Sequence, residues 1–158
     1  MIHKILVPLD GSEMAESALP IAREMAATNQ AEIVLFHSDY PEELSTISEI
    51  EQAERANAIA YLMATGSREL ARGSAVTTAM LDGITAADAI LAYSNRNDVD
   101  VIVMSTHGRS AAANALIGST AARVAQDSPI QVMHVHPFQP DAAGAPTVAR
   151  ADHHFSPS

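Results

Sequence analysis

Two clusters in the chain carry the residue types that bind phosphate. Met104-Ser105-Thr106-His107-Gly108-Arg109-Ser110 is the first, and Gly118-Ser119-Thr120 is the second. A glycine at 108 lets the backbone turn closely beneath a bulky ligand. Gly118 again removes a side chain, just where a helix begins at Ser119. The free N–H groups and the dipole of such a helix start attract an anion. The hydroxyls of Ser119 and Thr120 add hydrogen bonds to phosphate oxygens, and Arg109 is the cation placed to reach a phosphate tail if its loop folds inward. Near the N-terminus, Asp10-Gly11 closes an apolar run. Alone, Asp10 reads equally as a strand terminator. A strand, a glycine turn and a capped helix also occur in α/β proteins that bind nothing. The pattern lacks the Gly-Lys-Ser/Thr of a P-loop, and its glycines are too far apart for the dinucleotide fingerprint.

The elements that must position these residues follow from the hydrophobic pattern. Residues 2–9, 31–37, 75–81, 99–104 and 129–135 are short apolar or β-branched runs, each read as a strand. Ser12 caps a helix with Glu13 and Glu16 near its positive end, which Pro20 bends. Residues 48–72 form one long helix with Ile50, Ala53, Ala56, Asn57, Ala60, Met63 and Ala64 on its apolar face. Thr85 caps a helix reaching Asn95, and Ser119 caps one reaching Gln126. Five alternations of strand and helix without repeats imply an α/β fold, a five-stranded parallel sheet with helices on both faces. Ligands in such sheets sit at the carboxyl ends of the strands, near a switch in strand order. Asp10 and the 105–108 cluster should share that rim. Residues 1–137 form the domain, and residues 138–158, rich in Pro, Ala, Gly and Ser, form a disordered tail.

Composition narrows the function. The chain has 158 residues, 47% hydrophobic and 18% charged, as expected of one globular domain. A net charge of −10 argues against a nucleic-acid or anionic-membrane surface. A local site of backbone N–H groups survives that field, and a divalent cation such as Mg would help a triphosphate overcome it. With no cysteine, disulfides, thiolate catalysis and zinc–thiolate sites are excluded. No membrane span or signal pattern is present, so the expected location is cytoplasmic. His134 and His136 alternate along a strand and read as surface residues at its end rather than as a metal pair.

KILVPLDGSEMAESALPIARE, DVIVMSTHGRS and LIGSTAARVAQDSPIQVMHV together resemble universal stress proteins, over about residues 2 to 136. The ATP-binding members carry Gly, two residues, Gly, nine residues, then Gly-Ser or Gly-Thr. Here Ser105 replaces the first glycine, while Gly108 and Gly118-Ser119 keep the spacing. The resemblance implies a Rossmann-like fold of the adenine nucleotide α-hydrolase type and an ATP site. Pro8 would line the adenine pocket and Asp10 would contact the nucleoside. His37 and Ser38 would flank the base, and Met104 and Ser105 would sit near the sugar and first phosphates. Gly108, Gly118, Ser119 and Thr120 would cradle the phosphates. It further implies a nucleotide-dependent binding or signalling module in the stress response, and a homodimer formed through the fifth strand at the sheet edge. No catalytic constellation is evident, so slow ATP hydrolysis would be incidental. A dimeric scaffold of the same fold that has lost nucleotide binding is the alternative, with Ser105 as its supporting feature. A phospho-receiver domain fits poorly, because Asp10 has no adjacent acid and His136-Pro137 stands where a lysine is needed.

Overall fold

The computed structural model describes residues 1–39, 49–82, 85–107, 117–137 and 151–154. Its strands are β1 (Lys4–Pro8), β2 (Glu32–Asp39), β3 (Ala75–Asp82), β4 (Val101–Ser105), β5 (Gln131–Val135) and β6 (Ala151–His154). Its helices are α1 (Glu13–Glu16), α2 (Leu19–Asn29), α3 (Glu49–Ala71), α4 (Ala86–Arg96) and α5 (Ser119–Asp127). The sheet order is β3-β2-β1-β4-β5-β6. The first five strands are parallel, as expected of a chain in which strands and helices alternate.

Alternation along the buried strands divides the core into two layers. Ile5, Val7, Ile33, Leu35, Val101 and Val103 face one side, against Ala15, Ala18, Leu19, Ala22 and Ala26 of the first two helices and Leu62 of α3. Leu6, Val34, Phe36, Ile102 and Met104 face the other, against Ala87 and Ile90 of α4 and Ala121 and Val124 of α5. Both faces of the central strands are therefore covered, which is why they read as continuous apolar runs. Alanine-rich helices allow close approach to the sheet. Asp100 fixes the entry to β1: its carboxylate accepts the N–H groups of His3 at 2.7 Å and Lys4 at 2.9 Å. Those bonds hold its pKa below the usual carboxylate value.

Several sequence expectations need correction. Pro20 does not bend one helix; it stands at the start of a second, α2, where its missing N–H breaks no helical bond. The apolar face expected on α3 is not the buried one. Ile50 is 72% and Met63 is 63% exposed, while Leu62, Thr65, Gly66 and Glu69 turn inward. These buried positions keep helical spacing, but small and polar residues fill them because α3 lies close on the sheet. A methyl group added at Gly66 would already touch Thr78 and Val76. Buried Glu69 is held by Arg23, Nε to Oε2 at 2.8 Å, and by Arg72 at 3.8 Å.

The five parallel strands stand as expected, and the remaining corrections concern the C-terminal end. The five-stranded sheet gains a sixth strand, β6, which runs antiparallel to β5 with Met133 opposite His153 and Val135 opposite Ala151. Residues 151–154 are thus part of the sheet and not of a disordered tail; residues 138–150 and 155–158 lie outside those described. The outer edge of β5, expected to be open to a second copy, is occupied by the chain itself. His134 is buried at 6% exposure and is not a surface residue.

Candidate functional site

The strand order reverses between β1 and β4. β2 and β3 continue outward from β1, whereas β5 continues outward from β4. Ile5 pairs with Val101 and Leu6 with Ile102. In parallel sheets, ligands bind beyond the carboxyl ends of the strands at such a reversal of strand order. Asp10, which follows β1, and Ser105–His107, which close β4, therefore stand at one rim of the sheet.

On the β1 side the exit is stiffly built. The Leu9 N–H bonds the Phe36 carbonyl at 2.8 Å, extending the ladder one residue past β1. The carbonyl of Leu9 in turn lies 2.9 Å from Nδ1 of His37. Asp10 Oδ1 accepts the Ser12 N–H at 2.9 Å and the Ser12 hydroxyl at 2.5 Å. Ser12 Oγ then accepts the Ala15 N–H at 3.1 Å and caps α1 as expected. Gly11 between them has a φ of 86°, the left-handed region where a side chain is disfavoured. Asp10 thus braces the turn that ends the strand and stands half-buried at the rim. Pro8 and Ser38 are also half-buried, at the ends of β1 and β2.

Tyr61, on α3, is a neighbour that the sequence reading missed. Burial first, then the charge of Glu16, pushes its phenol up to about 12, and Asp10 contributes in the same direction. Arg68 of α3 bonds Glu16 and holds α1 against α3. A tyrosine in a polar, unevenly patterned helix gives no sequence signal of such placement.

On the β4 side Met104 and Ser105 are buried. Ser105 is not among the residues with positive φ, so its backbone needs no glycine. Its Oγ accepts the His107 N–H at 3.2 Å and helps form the turn leaving the strand. The Ser105→Gly variant is therefore expected to lose about 1 kcal/mol of stability, from the lost hydrogen bond and added chain entropy. Denaturant titration checks this, and a more stable variant would show that the serine is a strained substitute. Thr106 is 1% exposed; its hydroxyl lies 3.0 Å from His107 Nδ1 and 3.5 Å from His136 Nδ1. Its N–H continues the ladder to the Val135 carbonyl at 2.9 Å. Gly108 and Arg109 lie outside the described residues.

Gly118 returns to this turn. Its N–H donates to the Thr106 carbonyl at 2.5 Å. A Cβ built on it would stand 3.0 Å from that same oxygen. Its φ of −68° is ordinary, so close approach rather than conformation selects glycine here. Gly118, not Ser119, is the N-cap residue of α5, and no side chain of the cap accepts a bond from the helix. Ser119 is exposed, and Gly118 and Thr120 are half-exposed. The first turn of α5 thus begins without the oxygen that Ser12 gives α1 or Thr85 gives α4. That helix start is chemically suited to an anion.

Among the described residues, no group of three or more His, Cys, Asp or Glu is placed to hold a metal ion. An open groove lined by Pro20, Arg23, Arg72 and Ala75 lies at the amino ends of β2 and β3, away from this rim. No helix among the described residues is long and apolar enough to cross a membrane.

Comparison with known proteins agrees with this architecture. Universal stress protein MJ0531 of Methanocaldococcus jannaschii is 32% identical over 146 residues, covering 85% of this chain and 82% of its own. Universal stress protein YxiE of Bacillus subtilis is 26% identical over 148 residues, covering 85% of this chain and 99% of its own. Among solved structures, universal stress protein UspA from Lactobacillus plantarum superposes with a TM-score of 0.74 at 24% identity, covering 84% of this chain and 97% of its own. A universal stress protein in complex with cAMP superposes with a TM-score of 0.70 at 23% identity, covering 86% of this chain and 98% of its own. The model of the universal stress protein family matches residues 1–136, which is essentially the whole sheet-and-helix domain: the chain belongs to the universal stress protein family.

Proposed function

We propose that this protein is an ATP-binding module, with the nucleotide lying across the rim between β1 and β4. The observation that carries the reading is the start of α5. Gly118 is kept bare by the Thr106 carbonyl, and the cap lacks the side-chain acceptor that α1 and α4 possess. A triphosphate supplies acceptor oxygens and negative charge at that point. Backbone N–H groups of Ser119 and Thr120 and their hydroxyls are the assigned phosphate ligands, joined by Gly108 and Arg109. Asp10 is assigned to the nucleoside, with Pro8 and Ser38 beside the base and Met104 and Ser105 near the sugar. Mg accompanies the triphosphate, because a chain of net charge −10 otherwise repels it. A similarly folded relative holds an adenine nucleotide, cAMP, which supports the choice of base.

The role is binding rather than turnover. The residues described at the rim offer hydrogen bonds and a carboxylate already braced within its own turn. Occupancy of the crevice would alter how the protein meets its partners in the cytoplasm during stress. ATP that binds only the folded chain must raise its melting temperature. At a hundredfold excess over the dissociation constant, binding adds about 2.7 kcal/mol. For a domain of this size that is a shift of about 5–10 °C. Thermal unfolding with Mg-ATP at millimolar concentration checks this, and an unchanged midpoint contradicts nucleotide binding. Ser105 sits in ordinary backbone conformation, which supports retained binding over the scaffold alternative.

A further inference from the structure

α3 packs on β2 and β3, on the side of the sheet remote from β5. It turns Leu62, Thr65, Gly66 and Glu69 inward. Its opposite face carries Ala53, Ala56, Ala60, Met63, Ser67 and Leu70, all exposed. These residues follow one another at alternating intervals of three and four, the spacing of a coiled-coil seam. Leu70 is 54% exposed within the seam, and Ile59 flanks it at 42%. Single exposed apolar residues are ordinary, but a seam kept over about two and a half heptads is not. We propose that this face of α3 is an interface for a second copy of this chain, the two α3 helices packing antiparallel about a twofold axis at Ala60. The inference does not depend on nucleotide binding, and it uses neither edge of the sheet.

Self-complementarity selects the partner. Ala53 and Ser67 stand seven residues before and after Ala60, so an antiparallel pair sets Ala53 of one copy against Ser67 of the other. Met63 meets Ala56 by the same symmetry, a large side chain over a small one. Ala60 meets itself on the axis. One patch thus serves both copies, as a twofold contact requires. Small side chains at the crossing let the helices approach to about 8 Å, the near end of the usual range.

Charge fixes the direction. The first half of α3 carries Glu49, Glu51 and Glu54 with a single Arg55. The second half carries exposed Arg68, with exposed Arg72 just beyond the helix, while Glu69 is buried and held by arginine. An antiparallel pair sets the acidic half of each helix against the basic half of the other and brings Glu54 beside Arg68. Arg68 already bonds Glu16, and a guanidinium has further donors to offer. A parallel pair would set acid against acid. A net charge of −10 argues against an anionic lipid surface as the occupant. One helix pair makes a small interface, below about 1,200 Å², so the dimer belongs to the weak class.

Sedimentation equilibrium of the full chain in about 0.15 M salt, which screens the net charge, tests this. A monomer–dimer equilibrium is expected, with a dissociation constant on the order of 10–100 μM. Ala60→Arg sets two like charges face to face on the axis and is expected to weaken the dimer roughly tenfold or more. Gln126→Arg makes the same charge change on an exposed position of α5 and is expected to leave the dimer unchanged. The chain has no cysteine, so single cysteines report the direction of packing. Ala60→Cys is expected to form a disulfide between copies under mild oxidation. Ala53→Cys alone is not, because its two sulfurs would lie about 20 Å apart along an antiparallel pair. A mixture of Ala53→Cys with Ser67→Cys is expected to cross-link. Should Ala60→Arg fail to fold by circular dichroism, the cysteine chains decide the matter. A full chain that stays monomeric at millimolar concentration overturns the proposal. So does a dimer that folded Ala60→Arg leaves intact, or an Ala53→Cys chain that cross-links alone as fast as Ala60→Cys.

Discussion

A Gly118→Val chain is expected to lose nucleotide binding while keeping its fold. The Cβ alone would stand 3.0 Å from the Thr106 carbonyl oxygen, and backbone on both sides of that contact cannot move cheaply. The N–H of Gly118 already donates to the same oxygen at 2.5 Å. Valine adds two further methyl groups at that point. The contact must open, and the first turn of α5 must shift with it. Overpacking of this kind costs about 1–3 kcal/mol. A shift of about 1 Å in the phosphate-binding amides costs on the order of a hundredfold in function where geometry is demanding. Affinity for Mg-ATP is therefore expected to fall by about two orders of magnitude, with the circular dichroism spectrum unchanged. Titration calorimetry on the variant reads the loss. Retained affinity would mean that the anion binds elsewhere.

Glu69→Ala is expected to do the reverse, lowering stability but sparing the nucleotide. The carboxylate is 1% exposed and bonds Arg23 at 2.8 Å, with Arg72 at 3.8 Å. Removing one member of a buried ion pair typically costs about 3–5 kcal/mol. Arg23 and Arg72 are partly solvated, with side chains 29% and 50% exposed, which discounts that figure. A loss of about 2–3 kcal/mol, or roughly 5–10 °C in melting temperature, is the expected result. Glu69→Gln keeps an acceptor for Arg23 and should lose less. Glu69 lies near the end of α3 that leads into β3, at the opposite end of the strands from the nucleotide rim. The ATP dissociation constant of the folded variant should match the parent. A large change in affinity would show that α3 couples the two ends.

Much of the fold is legible because burial leaves a direct mark on residue type. The central strands β2, β1 and β4 lie between helices, so Ile33–Phe36, Ile5–Val7 and Val101–Met104 run without a polar interruption. Ser12 and Thr85 are legible caps because a short oxygen-bearing side chain precedes each helix. At the candidate site, Asp10, Ser105 and Gly118 are legible as a group through spacing and family resemblance. Their individual roles in the fold are not. Whether Gly118 serves conformation or close approach depends on a carbonyl contributed from a different turn.

The misread elements share another physical cause: their faces are set by partners distant in sequence. The stripe expected on α3 runs through Ile50, Ala53, Ala56, Ala60 and Met63, whereas the face packed on the sheet carries Leu62, Thr65, Gly66 and Glu69. Tyr61 owes its raised pKa to burial and to Glu16 on another helix. β6 has poor strand composition and forms only because β5 offers it an edge. His134 is buried as well, a placement its residue type does not signal.

The most direct test of nucleotide binding is calorimetric titration of the purified full chain with Mg-ATP. Heat of binding, one site per chain and a micromolar dissociation constant are expected. Absence of binding heat across several temperatures, with no change in the melting point, would contradict it.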